Sequence, residues 1–179
     1  MLQYFVRCSQ LSFWSLVISG ILGVASSRAQ SVPTTKNIGA PNSYIGTGGA
    51  IGLSGSTTSL GTGGFPILSK VKFTDNLSLH DATVLFGRGA ATSMIILTAD
   101  FPIRGDGGQT LFSPFIGAGT MLRYADGLYI SPAVSGGVDI PLSSSLTGTV
   151  RLNVGFPSNS SADLGLLIGA GYTFGDYLR

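Results

Sequence analysis

The chain has 179 residues, of which 44% are apolar and only 10% charged, with 27 glycines and a formal net charge of +2. That length suits one domain, and soluble domains carry about 25% charged residues, so the composition turns away from an ordinary water-soluble surface and towards a membrane protein. The varied order of residues and the lack of a strict glycine period exclude collagen-like structure, and the unclustered basic residues leave no footprint for nucleic acid.

The first element is an export segment. Arg7 and the terminal amine supply positive charge, residues 11–25 (LSFWSLVISGILGVA) form an apolar run, and Ser27-Arg28-Ala29 places small residues where a signal peptidase reads. Residues 1–29 are therefore expected to be a signal peptide cleaved near Ala29, since the run falls short of the roughly 20 residues a spanning helix needs. Removing Arg7 and Arg28 takes ten basic residues to eight, against eight acidic ones, every one an Asp. The single cysteine, Cys8, leaves with that segment, so the mature chain carries no disulfide or thiolate chemistry.

Residues 30–42 (QSVPTTKNIGAPN) read as a polar, flexible lead-in, and residues 43–179 as one barrel domain. From Ser43 the chain becomes a series of segments of about ten residues separated by Gly, Asp, Asn and Ser clusters, which is the pattern of transmembrane strands. The segments are 44–53, 65–73, 77–86, 94–101, 114–124, 128–140, 146–156 and 164–174. The third changes parity near His80-Asp81, which suits a β-bulge there. Turns are expected at Thr74-Asp75-Asn76, Ala125-Asp126-Gly127 and residues 142–145, and longer polar loops at 54–64 and 157–162.

The last three segments alternate cleanly. Leu146, Val150, Leu152 and Val154 share one parity while Thr147, Thr149, Arg151 and Asn153 take the other; Leu164, Leu166, Ile168 and Tyr172 oppose Gly165, Leu167, Gly169 and Thr173. Side chains alternate across a strand, so each segment has one apolar and one small or polar face. A soluble barrel would carry charge outside, whereas here the apolar parity is almost free of charge, as a lipid-facing wall requires. The fold class expected is an all-β, eight-stranded, antiparallel, transmembrane up-and-down β-barrel, whose closure removes every sheet edge. Lys70, Lys72, Asp100, Arg123, Asp139, Arg151 and Asp163 then point inward as a structural polar network, with opposite signs paired at each level of a lumen just wide enough for side chains.

The closing segment, LGLLIGAGYTF at 164–174, resembles the last strand of outer-membrane β-barrel proteins of the OmpA-like and opacity-type group. Gly169, Tyr172 and Phe174 match the glycine and alternating aromatic positions of the signal that the barrel-assembly machinery reads. Leu167 stands where a polar residue is usual, and GDYLR at 175–179 runs past the expected terminal aromatic. Thr74-Asp75-Asn76-Leu77-Ser78 and SPFIGAG at 113–119 also look like the turns and glycine-bearing strands of these proteins. The resemblance implies outer-membrane insertion by that machinery and contact with membrane lipids. It implies no activity, since function does not follow from fold.

Reactive constellations are sparse. His80 is the only histidine, and Asp81 points to the opposite side of a regular strand, so no triad is signalled. One histidine and scattered aspartates do not make a metal site, and the Gly-x-Gly pairs lack the third glycine of a dinucleotide fingerprint. No catalytic residue, cofactor or metal is expected. The reading is a monomeric, non-enzymatic barrel of a Gram-negative outer membrane, serving envelope integrity or presenting surface loops. Two alternatives stay open: a low-conductance, porin-like channel for ions or very small solutes, and a barrel-embedded lipid-modifying enzyme.

Overall fold

The structure, a computed structural model, describes residues 43–87, 91–158 and 160–174; the expected signal peptide and lead-in lie outside the described residues. In chain order the elements are β1 (Tyr44–Ser54), the single-turn helix α1 (Ser59–Thr62), β2 (Phe65–Thr74), β3 (Leu77–Leu85), β4 (Ala91–Asp100), the two-residue β5 (Ile103–Arg104), β6 (Thr110–Tyr124), β7 (Leu128–Pro141), β8 (Leu146–Gly155) and β9 (Asp163–Thr173).

Every strand pairs antiparallel with its sequence neighbours around the wall, with β4 passing over β5 to pair with β6. The first and last strands complete the circle: β1 lies against β9 from Tyr44 opposite Thr173 to Ser54 opposite Leu164. The eight long strands therefore form a closed up-and-down barrel with no free edge. The short β5 pairs only with the start of β6, forming a hairpin that extends the wall beyond the end of β4.

The period-2 pattern of the sequence becomes an inside and an outside. Ile116, Val134, Leu152, Ile168 and Tyr172 are all exposed on the outer surface, while Ser135, Thr149, Arg151, Asn153 and Leu167 are buried inside. A soluble monomer rarely exposes so continuous an apolar surface. On β2 the exposed Phe65 and Phe73 stand four residues either side of Ser69, in the manner of the aromatic girdles that flank a lipid-facing band.

The bulge expected near His80-Asp81 does not occur. The β2–β3 register runs unbroken there, His80 opposite Lys70 and Asp81 opposite Ser69, and shifts instead between Lys72 and Thr74. The parity of β3 is constant, with Ser78, His80, Ala82 and Val84 all buried. What changes is the lumen, which is polar at Ser78 and His80 and apolar at Ala82 and Val84. An alternation read only from hydrophobicity inverts at that boundary although the backbone does not.

Candidate functional site

Among the described residues, the barrel interior is where buried ionisable side chains converge. Tyr44 at the start of β1, Lys70 on β2, His80 on β3, Asp100 at the end of β4, Asp139 on β7 and Arg151 on β8 all project inward and are buried. They come from six strands, and the antiparallel register brings the relevant part of each towards the end of the barrel where β1 begins and β9 ends.

The contacts form one chain of charge-assisted bonds. Arg151 Nη2 donates to Tyr44 Oη at 2.6 Å, and Tyr44 Oη in turn donates to Asp139 Oδ1 at 2.9 Å. Lys70 Nζ lies 2.9 Å from Asp139 Oδ2 and 3.0 Å from Asp100 Oδ2. Asp100 also accepts from the Ser78 hydroxyl and, at 3.3 Å, from Thr98. Arg151 completes its donors with Thr149 Oγ1 at 3.2 Å and with the carbonyls of Asp81 at 3.0 Å and Ser69 at 3.3 Å on the far wall. Two cations thus face two carboxylates. A buried ion costs several kcal/mol in desolvation unless its partners and remaining hydrogen bonds are supplied, and here both are.

His80 fills the space beside this network. Its ring packs against Phe115 at a centroid distance of 4.1 Å. Nε2 stands 3.9 Å from both Asp100 and Asp139, and neither ring nitrogen has a hydrogen-bond partner. The nearby hydroxyls of Ser78 and Tyr44 give their protons to carboxylates. Neither is held by the imidazole as a general base holds its nucleophile.

Of the seven inward charges expected from the sequence, Lys70, Asp100, Asp139 and Arg151 meet. The other three do not join them. Lys72 sits at the barrel mouth, where Nζ bonds Asp75 at 2.8 Å across the β2–β3 turn. Arg123 and Asp163 were expected to face each other at the opposite end, and among the described residues no ion pair links them. Arg123 instead places its guanidinium 4.1 Å from the ring of Tyr129, its cross-strand partner. Asp163 is fully buried under the β1–α1 connection, where Oδ1 accepts from the Thr57 amide at 3.4 Å and Oδ2 has no partner. The sequence reading missed Tyr44, whose phenol ties Arg151 to Asp139, and no local signal marks it.

The other half of the lumen is plugged by an apolar cluster that sits beside buried Thr58, Ser59, Thr92, Asn153 and Asp163. Thr58 caps α1 by accepting from Leu60 N at 3.2 Å, and Gly63 at φ 81° ends it after a single turn. That turn folds into the barrel, so Ser59, Leu60 and Gly61 are buried. Leu60 packs in a cluster with Leu68, Ala82, Val84, Met94, Ile96, Met121, Ala133 and Leu167. Inward glycines make the room: a Cβ on Gly165 would stand 2.7 Å from Leu60 Cδ1. Leu167, the departure from the usual closing-strand pattern, is one wall of this cluster.

Outside, the apolar parity is interrupted on one side. Asp81 lies on the outward face of β3, level with Ser69 of β2 and hence midway between the Phe65 and Phe73 belts. Next to it, outward Thr83 shares a 2.8 Å hydrogen bond with Ser93 of β4. A charge at mid-depth costs about 2–4 kcal/mol, somewhat less for aspartate than for lysine or arginine. Among the described residues no hydrogen bond or ion pair reaches the Asp81 carboxylate. At the closing strand, Tyr172 is exposed and outward, Gly169 faces in, and the Phe174 amide donates to the Ser43 carbonyl at 3.0 Å just past the end of β9.

No known protein family matches the chain, and no curated protein matches it in sequence. Among solved structures, the chain is similar to the N-terminal β-barrel domain of Pseudomonas aeruginosa OprF, with a TM-score of 0.54, 12% identity, and coverage of 76% of this chain and 99% of that one. Neisserial surface protein A is a second neighbour, at a TM-score of 0.43 and 16% identity over 73% of this chain and 93% of that one. At 12% identity the OprF likeness speaks for the fold alone.

Proposed function

We propose that this protein is a sealed, non-enzymatic outer-membrane barrel, exported by a leader cleaved near Ala29, that acts through its wall and its exposed connections rather than through its lumen. The single observation that carries the reading is the double closure of the interior. At one end, Lys70, Asp100, Asp139, Tyr44 and Arg151 bond to one another across the bore; at the other, α1 seats Leu60 among apolar side chains. A conducting path needs hydrated groups along its length, and these side chains are shut off from water at both levels. The apolar outer surface with its flanking aromatics supports placement in a bilayer, and the likeness to OprF supports the outer membrane as that bilayer.

On this reading the end where β1 begins and β9 ends faces the periplasm. The opposite end bears the connections at 55–64, 86–90, 125–127 and 156–162, longer in sum than those at 75–76, 101–109 and 142–145, and longer connections on the outer side are the rule for such barrels. Gly169, Tyr172 and Phe174 serve as the insertion signal for the barrel-assembly machinery. Replacing both Tyr172 and Phe174 by Ala should then lower the amount of inserted protein, and normal insertion would remove that assignment.

Planar-bilayer recording of the refolded protein tests the sealed reading. The expected result is a baseline without conductance steps at physiological salt. Steady single-channel steps from the unmodified protein would replace this reading with the narrow-channel alternative, and turnover of lipid A or phospholipid by the same preparation would replace it with the lipid-modifying one.

A further inference from the structure

The outward carboxylate of Asp81 is the feature that a sealed, lipid-surrounded barrel does not use. Its position is fixed by register: β2 and β3 pair Ser69 with Asp81, and on β2 the exposed Phe65 and Phe73 bracket Ser69 symmetrically. Hydrocarbon is the environment at that depth, and it supplies no donors. From the lumen, Arg151 donates to the Asp81 carbonyl at 3.0 Å but makes its carboxylate-directed contacts through Tyr44 to Asp139. No hydrogen bond or ion pair among the described residues therefore reaches the Asp81 carboxylate from inside.

The surrounding wall differs from the rest of the belt. Thr47, Ser69, Thr83 and Ser93 all face outward around Asp81 on β1 to β4, and Thr83 and Ser93 bond to each other at 2.8 Å. The opposite wall, on β8, presents Val150, Leu152 and Val154 at comparable depth. Among the described outward residues of the belt there is no lysine or arginine, so a second copy of this chain brings hydroxyl donors and no cation.

We propose that the β2–β3 face is an in-membrane interface between two copies of this chain, related by a twofold axis along the membrane normal that passes between Ser69 and Asp81. Those two residues are neighbours across the β2–β3 pairing, so the axis sets each Asp81 carboxylate across from the partner's Ser69 hydroxyl, with side-chain reach taking up the offset in depth that strand tilt introduces. Two equivalent hydrogen bonds form, and the two carboxylates stay apart. A twofold interface must be self-complementary in this way, with each patch contacting its own copy, and a patch holding one acceptor beside one donor satisfies it. Ile67, Val71, Leu79 and Ile95 face outward around the pair and supply apolar packing between the two walls. The short Ser69 and Thr83 leave room for the polar contact, as interfaces in lipid rely on packing and hydrogen bonds. This inference replaces the expectation of a monomer. It rests on the wall lying in lipid, which the opposite-wall cysteine below reports independently.

Site-directed cross-linking in native membranes tests it, in a Cys8→Ser background so that the introduced cysteine is the only one. Val71→Cys lies beside the proposed axis and Leu152→Cys on the opposite wall. Both should react with a lipid-phase maleimide; failure of Leu152→Cys to do so would withdraw the membrane placement itself. A short bifunctional maleimide should convert Val71→Cys, and not Leu152→Cys, to a band of twice the mass. Adding Asp81→Leu should reduce that band several-fold while the heat-modifiable gel shift of the folded barrel persists. If Asp81→Leu does not insert, Ser69→Ala must produce the same loss. Equal yields from Val71→Cys and Leu152→Cys, a band unchanged by the substitution at Asp81 or Ser69, or a cross-link only to a product of another mass would each overturn the self-association.

Discussion

The two halves of the lumen are closed by different physics. The half near the start of β1 is held by a few long polar side chains that reach one another across the bore, with Arg151 on β8 donating to carbonyls of Ser69 on β2 and Asp81 on β3. The half near the longer connections is held by the ordinary collapse of aliphatic side chains around Leu60. The first arrangement is directional: each bond fixes a donor against an acceptor, and removing one member leaves another buried and charged. The second is tolerant, since neighbouring apolar groups can shift to fill a vacated volume. A barrel built in this way takes its geometric specificity from the polar half and its seal at the mouth from the plug.

Substitutions that strike one half at a time should expose the contrast, and the largest effect belongs to the polar half. Asp139→Ala removes the acceptor shared by Lys70 and Tyr44 and leaves two buried cations, Lys70 and Arg151, facing the single carboxylate of Asp100. A loss of roughly 3–5 kcal/mol is expected, measured as the urea midpoint of the folded, heat-modifiable form in detergent or bilayers. A change below about 1 kcal/mol would mean that water reaches the site and screens it.

In the plugged half, Leu60→Ala should cost about 2–3 kcal/mol through lost burial and the cavity left among Met121, Leu167 and their neighbours. It should not open a conducting path, because the polar closure is untouched; steady current from this variant would show that the plug alone seals the bore. Tyr44→Phe keeps the ring and deletes only the hydroxyl between Arg151 and Asp139. It should cost about 1–2 kcal/mol, the penalty of leaving one buried bond unmade, and the same urea titration reads it. The smallest effect is expected for Thr58→Ala, which removes the cap of α1 for about 1 kcal/mol. Its signature is local: faster amide exchange at Leu60 with little change in the global midpoint.

The wall of this protein is a property of its sequence. The eight segments separated by turn residues, the parity that places Val150 and Leu152 outside and Arg151 inside, and the convergence of Lys70, Asp100 and Asp139 at one end all follow from a two-residue period and antiparallel hairpins. Both act within a few residues or between neighbouring strands. The interior is a different matter. A one-turn helix such as α1 is too short to carry a periodic signal, and only the enclosed apolar space gives Ser59–Thr62 a reason to fold inward. The apparent parity change at His80-Asp81 was a boundary between two kinds of lumen, visible only once Met94, Ile96 and Leu60 are seen around Ala82 and Val84. Tyr44 and Asp139 lie 95 residues apart, and Arg123 turned to Tyr129 while Asp163 was covered by the plug connection. Strand pairing decides which way each side chain points, but which partners it meets across the bore depends on closure of the whole circle, and that is a tertiary fact.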